Sequence, residues 1–153
     1  MAKKTTDLDA GVVAAVLDEI SKERRKAHED LKGREKALQD AVDDLNDKGR
    51  PAGNAKIEAD ADLKAHARFE GKMPKQTYDA RLRELTKAAE DAAAKWKRVQ
   101  RDAQDIIAPL QEAVNKQLES CRELAREWNA HLRLAKASGV DVAAYWTPEA
   151  KVQ

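Results

Sequence analysis

Residues 13–45 read VAAVLDEISKERRKAHEDLKGREKALQDAVDDL, and this stretch decides the fold. Its apolar positions fall at Val13, Leu17, Ile20, Ala27, Leu31, Leu38, Ala41 and Leu45, with Arg24 and Arg34 holding two places in the same series. The steps alternate four and three without exception. Residues three and four apart share one face of a helix, so this alternation, kept up over several turns, is a heptad seam that needs a facing helix. The spacing predicts a helix from about residue 7, with Thr6 or Asp7 as the cap, to about residue 48. There Gly49-Arg50-Pro51-Ala52-Gly53-Asn54 is expected to break it, because glycine offers a left-handed exit and proline cannot continue the ladder.

Beyond that break a short helix is expected over about 55–70, carrying Ile57, Ala61, Leu63 and Phe69. Gly71-Lys72-Met73 ends it, and Pro74 suits the first turn of the next helix. The run 63–85, about a seventh of the chain, has a helix–turn–helix rhythm similar to short helical-hairpin modules that help proteins oligomerise. A long helix then covers about 75–137, roughly 95 Å at 1.5 Å per residue. Its seam reads Tyr78, Leu82, Leu85, Ala89, Ala92, Trp96, Val99, Ala103, Ile106, Leu110, then steps by four and four to Val114 and Leu118. A second heptad run follows through Cys121, Ala125, Trp128, Leu132 and Ala135. Such a stutter unwinds a supercoil, and Pro109 beside it removes a backbone bond. Both place a break or change of partner near 105–114. Gly139 ends the helix, and 140–153 is a tail bearing Val140, Val142, Tyr145 and Trp146.

Composition agrees. Of 153 residues, 37% are charged and 4% aromatic, the balance of long helices that bury a narrow stripe. The expected fold is therefore all-α: one elongated domain, an antiparallel helical hairpin or coiled coil with a short third helix and a long overhanging C-terminal helix. The acidic Asp40, Asp43, Asp44 and Asp47 at the predicted end of the first helix oppose its dipole, as do the basic Lys75, Arg81, Arg83 and Lys87 at the start of the long one. Side by side they would neutralise each other. The matching register pairs positions that sum to 123: Leu38 with Leu85, Leu31 with Ala92, Ala27 with Trp96, Leu17 with Ile106, Val13 with Leu110. Arg24 would then lie one turn from Trp96, within stacking reach.

In that register the first helix runs out opposite Leu110, and 114–135 overhangs. The overhang carries Val114, Leu118, Cys121, Leu124, Trp128 and Leu132, a stripe that a water-exposed monomer does not leave bare. Tyr145 and Trp146 could cover its distal end. The rest is expected to bind a second copy or another protein, so these residues are the candidate partner interface.

Catalytic and cofactor signals are absent. There is no glycine-rich phosphate loop, nucleophile elbow or His-Glu-x-x-His. His28, His66 and His131 are scattered; Asp62, His66 and Glu70 share a helical face, as do Glu127 and His131, but surface polar pairs are far commoner than metal sites. The lone Cys121 sits on the seam as a small apolar residue, with no Cys-x-x-Cys partner. Lys95, Lys97, Arg98 and Arg101 flank Trp96, and Lys22, Arg24, Arg25 and Lys26 would approach them in the hairpin, a combination that single-stranded nucleic acid favours. Interleaved Glu23, Glu29 and Asp102 make a solvated charged face the commoner reading.

The 29 basic and 28 acidic residues leave a formal charge of +1, too small a field for tight sequence-blind binding to nucleic acid. No run resembles a signal peptide or approaches a membrane span, so a cytoplasmic protein, or a virion component assembled in the cytoplasm, is expected. The expectation is a non-enzymatic interaction protein without cofactor or metal: a structural, adaptor or assembly component, phage head or tail factors and scaffolds included. The alternative is a small regulator held to nucleic acid by its basic patch. A redox or metal site using His131 and Cys121 is the distant third.

Overall fold

The computed structural model describes residues 10–142, and these form two long helices that pack against each other. Helix α1 spans Ala10–Ala67 and α2 spans Lys75–Ala137. The expected break at 49–54 does not occur: α1 carries Pro51 in its interior and continues for another sixteen residues. Of the separate short helix predicted over 55–70, residues 55–67 are the last part of α1 and 68–70 belong to the turn. Pro109 likewise lies inside an unbroken α2. No described helix is long and apolar enough to cross a membrane.

The hairpin turn falls at 68–74. The last turn of α1 tightens through three successive i→i−3 bonds, from the amides of Arg68, Phe69 and Glu70 to the carbonyls of Ala65, His66 and Ala67. Gly71, at φ 74°, takes the left-handed conformation that lets the chain turn. Pro74 then accepts the first α-helical bond of α2, from the amide of Tyr78 at 3.0 Å. The two ends are tied by His66, buried at 7% exposure, whose Nε2–H donates to the Tyr78 carbonyl at 3.1 Å. Its ring stacks on that of Tyr78 with centroids 4.5 Å apart. The helical-hairpin rhythm read over 63–85 is the real turn of the molecule.

The described chain divides into two compact units, each made of one stretch of α1 and one of α2: residues up to 37 with those from 111, and residues 38–110. In the first unit Val13, Leu17, Ile20, Trp128 and Ala135 form a buried cluster, with Val16, Leu132, Val140 and Val142 packed around it. Helix α2 ends here in a Schellman motif: the amide of Gly139 donates to the Lys136 carbonyl and that of Val140 to the Ala135 carbonyl, with Gly139 at φ 76°. Val140, the residue after that glycine, is thereby laid on the cluster.

The register differs from the expected one by three heptads. Gln117 Nε2 donates to the Ala27 carbonyl at 3.0 Å, so Ala27 lies beside Gln117 and not Trp96. Arg34 donates to the Ala113 carbonyl at 3.1 Å, which places Leu31 against 113–117 and not against Ala92. Arg24 stands 5.2 Å from the Trp128 ring centroid, not over Trp96. The cause is the position of the turn. Because α1 runs on through Pro51, it is long enough to reach the far end of α2. Asp40–Asp47 lie in mid-helix and not at a helix end, and there Asp44 pairs with Lys48 at 2.8 Å and Asp47 with Arg50 at 3.2 Å on the same helix.

Candidate interaction surface

The stretch 114–135 is not an overhang. Val114, Cys121 and Trp128 are buried, while Leu118, Leu124 and Leu132 are half-buried, and Leu132 packs on the cluster that Val13, Leu17 and Ile20 of α1 form with Trp128 and Ala135 of α2. Their own chain supplies the cover that the sequence leads one to expect from a partner. Tyr145 and Trp146 lie outside the described residues. Arg24 Nε and Trp128 Nε1 are buried without hydrogen-bond partners, and burial holds the Arg24 guanidinium below its usual range. The cation over the ring offsets part of that desolvation.

Cys121 is buried at 8% exposure, and burial, with Asp30 and Glu35 nearby, pushes its thiol up. Both effects disfavour the thiolate that nucleophilic or redox chemistry requires. Labelling of the native protein by a disulfide reagent at neutral pH is expected to be slow and to accelerate sharply in urea. Equal rates in both states would show that Cys121 is open and reactive. His131 turns its Nδ1–H back to the Glu127 carbonyl at 2.9 Å. His66 faces Tyr78, and Glu70 lies past the helix end at Ala67, so the predicted Asp62–His66–Glu70 face is not formed. Among the described residues no three His, Cys, Asp or Glu side chains gather as a metal-binding group.

The second unit holds a feature that sequence reading missed. Gly49 and Gly53, one turn apart, form a notch on α1 that receives Trp96. A Cβ at Gly53 would stand 3.3 Å from the indole, and one at Gly49 would stand 3.2 Å from Val99. These glycines therefore permit a close approach of α2 instead of ending α1. The inward face of α1 continues through Gly49, Ala52, Lys56, Ala59, Leu63 and His66 in alternating steps of three and four, and the sequence marks it only weakly because Gly49, Lys56 and His66 are not apolar.

Around this notch the seam slips. On α1 it steps by four and four through Ala41, Leu45 and Gly49, and on α2 through Val99, Ala103 and Ile107. Ile106, expected on the seam, is 50% exposed, and Ile107 turns inward in its place. The stutter thus lies one heptad and more before the site expected near Pro109. Two steps of four carry the seam about 80° around a helix of 3.6 residues per turn. Where the slips on the two helices fall, no residue of 38–48 or 90–110 is buried.

What results is an open groove along one side of this unit. Leu45, Gly49, Trp96, Val99, Ala103 and Ile107 form its apolar floor. Asn46, Gln100, Gln104 and Arg50 line the same part, and Lys56, Ala93, Ala94 and Lys97 line an adjoining hollow that shares Trp96 and Gln100 with it. Of the predicted nucleic-acid patch, Lys95, Lys97, Arg98 and Arg101 are all exposed on α2, but only Lys97 lines the groove. Lys22, Arg24, Arg25 and Lys26 belong to the first unit, where Arg24 is spent on Trp128.

No protein-family model, curated protein or solved structure matches the chain.

Proposed function

We propose that the chain is a non-enzymatic helical interaction protein, a coiled-coil type of component serving as a structural, adaptor or assembly part of a larger complex. It would act in the cytoplasm or in a particle assembled there. One observation carries the reading: over 38–48 and 90–110 the paired helices leave their apolar seam half-open, with Leu45, Trp96, Val99 and Ile107 facing a groove. A two-helix pair gains stability by burying such a seam, and a further helix laid on it would complete a bundle. The alternative of a nucleic-acid-associated regulator rests on Lys97 beside Trp96. The exposed Asp91, Asp102 and Asp105 on the same helix, and the near-balanced charge of the chain, weigh against it.

A photo-crosslinking residue at Gln104, in the groove, tests this in cells of the native host. A discrete crosslinked protein product is expected at Gln104 and not at the exposed control Arg83. Indistinguishable patterns at the two positions would overturn the proposal.

A further inference from the structure

We infer that the groove of the second unit takes a single amphipathic α-helix from another protein, with carboxylates along the edges of its apolar stripe. The inference deepens the interaction reading and rests on it.

The floor favours a helix. Leu45, Val99, Ala103 and Ile107 are aliphatic and half-buried, strung along two paired helices. Apolar residues at i, i+3, i+4 and i+7 of a third helix match such a row, in the helix-in-groove mode of recognition. Ile57 lies seven residues beyond Arg50, hence on the same face of α1, and is 67% exposed. It is an exposed apolar residue beside the cationic rim, outside the lining of the groove.

The rim selects the charge. Its polar side chains are the amides Asn46, Gln100 and Gln104 and the cations Arg50, Lys56 and Lys97, with no Asp or Glu among them. Arg50 and Lys56 pair only with carboxylates on their own helix, Asp47 at 3.2 Å and Asp60 at 3.0 Å. The Arg50–Asp47 pair is 70% and 73% exposed, and such surface pairs contribute little, so Arg50 can turn to an incoming carboxylate, whereas Lys56 is half-buried and held by Asp60. Aliphatic floor, amides and cations together describe the complement of an acidic amphipathic helix.

The chain itself does not supply that helix. Two copies meeting groove to groove would set like cations against each other, a repulsive arrangement. The terminal stretches bring no excess of acid: residues 1–9 carry Lys3, Lys4, Asp7 and Asp9, and residues 143–153 carry Glu149 and Lys151. Single-stranded nucleic acid is the poorer fit, because the Trp96 ring is lodged on the backbone of Gly49 and Gly53 and an aliphatic floor offers bases little to stack on.

The test uses the full chain and two labelled synthetic helical peptides that share one leucine–alanine stripe, one flanked by glutamates and the other by lysines. Fluorescence anisotropy at low ionic strength is expected to show the glutamate peptide binding about tenfold more tightly, the effect of two or three exposed ion pairs. The double variant R50E/K97E is expected to invert that preference with its helical circular dichroism unchanged, which separates recognition from folding. Equal affinities, a lysine preference or no binding would overturn the inference. So would displacement of the glutamate peptide by a single-stranded oligonucleotide, or sedimentation showing the groove closed by a second copy. A protein crosslinked at Gln104 with no peptide discrimination would remove this inference alone, whereas absence of both would remove the interaction reading as well.

Discussion

Replacing Trp128 by alanine is expected to destabilise the first unit by about 3–5 kcal/mol, the usual cost of deleting a buried aromatic from a core. Trp128 is 2% exposed and sits in the cluster of Val13, Leu17, Ile20 and Ala135. The variant loses the area the indole buries and leaves a cavity that two stiff helices cannot close by local collapse. It also leaves the Arg24 guanidinium, half-buried and with Nε already unpartnered, without the ring that faces it. Urea unfolding followed by circular dichroism should show a large drop in midpoint, and hydrogen exchange should place the loss of protection in 13–37 and 111–137. Trp96→Ala is the contrast. That ring is only half-buried, so its removal is expected to cost clearly less. Equal losses would mean that the two seam tryptophans are equivalent, as the heptad pattern alone would have them.

The second large effect has the opposite sign. Pro51 lies inside α1, where its missing N–H costs the helix a backbone bond to Asp47, and it is exposed, so its ring gains little from burial in return. Proline in a helix interior is about 3 kcal/mol less favourable than alanine. Pro51→Ala is therefore expected to raise stability by up to about 3 kcal/mol, read as a higher urea midpoint with more helical signal. An unchanged or lowered midpoint would mean that the chain does break at this point and that the short helix predicted over 55–70 is separate after all.

These two residues mark where sequence reading succeeded and where it failed. The heptads of 13–45 and 75–137 were legible because burial on one face of a helix leaves a local periodic trace. So was the rhythm of the turn over 63–85. The register was not legible, because any shift by whole heptads again sets apolar against apolar, and only the turn chooses among the alternatives. Gly49, Pro51 and Gly53 carried the strongest local signals for a turn, yet propensity is a weak prior that tertiary contact overrides. Here the overriding contact is Trp96, which occupies the space the two glycines leave.

The same substitution of one turn for another moved the functional question. With the turn at 49–54, Val114, Cys121 and Trp128 stand exposed and ask for a partner; with it at 68–74, α1 covers them. The apolar surface left half-open is instead the groove beside Trp96. Sequence could not mark it, because it arises from two phase slips, at Ala41–Gly49 and Val99–Ile107, that matter only when they face each other.

By itself the sequence determined that this protein is helical, that its helices carry heptad seams, and that its charges balance. Each of these follows from the chemistry and spacing of neighbouring residues. Tertiary structure alone decided which seam positions meet, whether Pro51 stops a helix, and which apolar surface stays open. Those depend on where residues distant in the chain come together, and a repeating pattern carries no record of its own register.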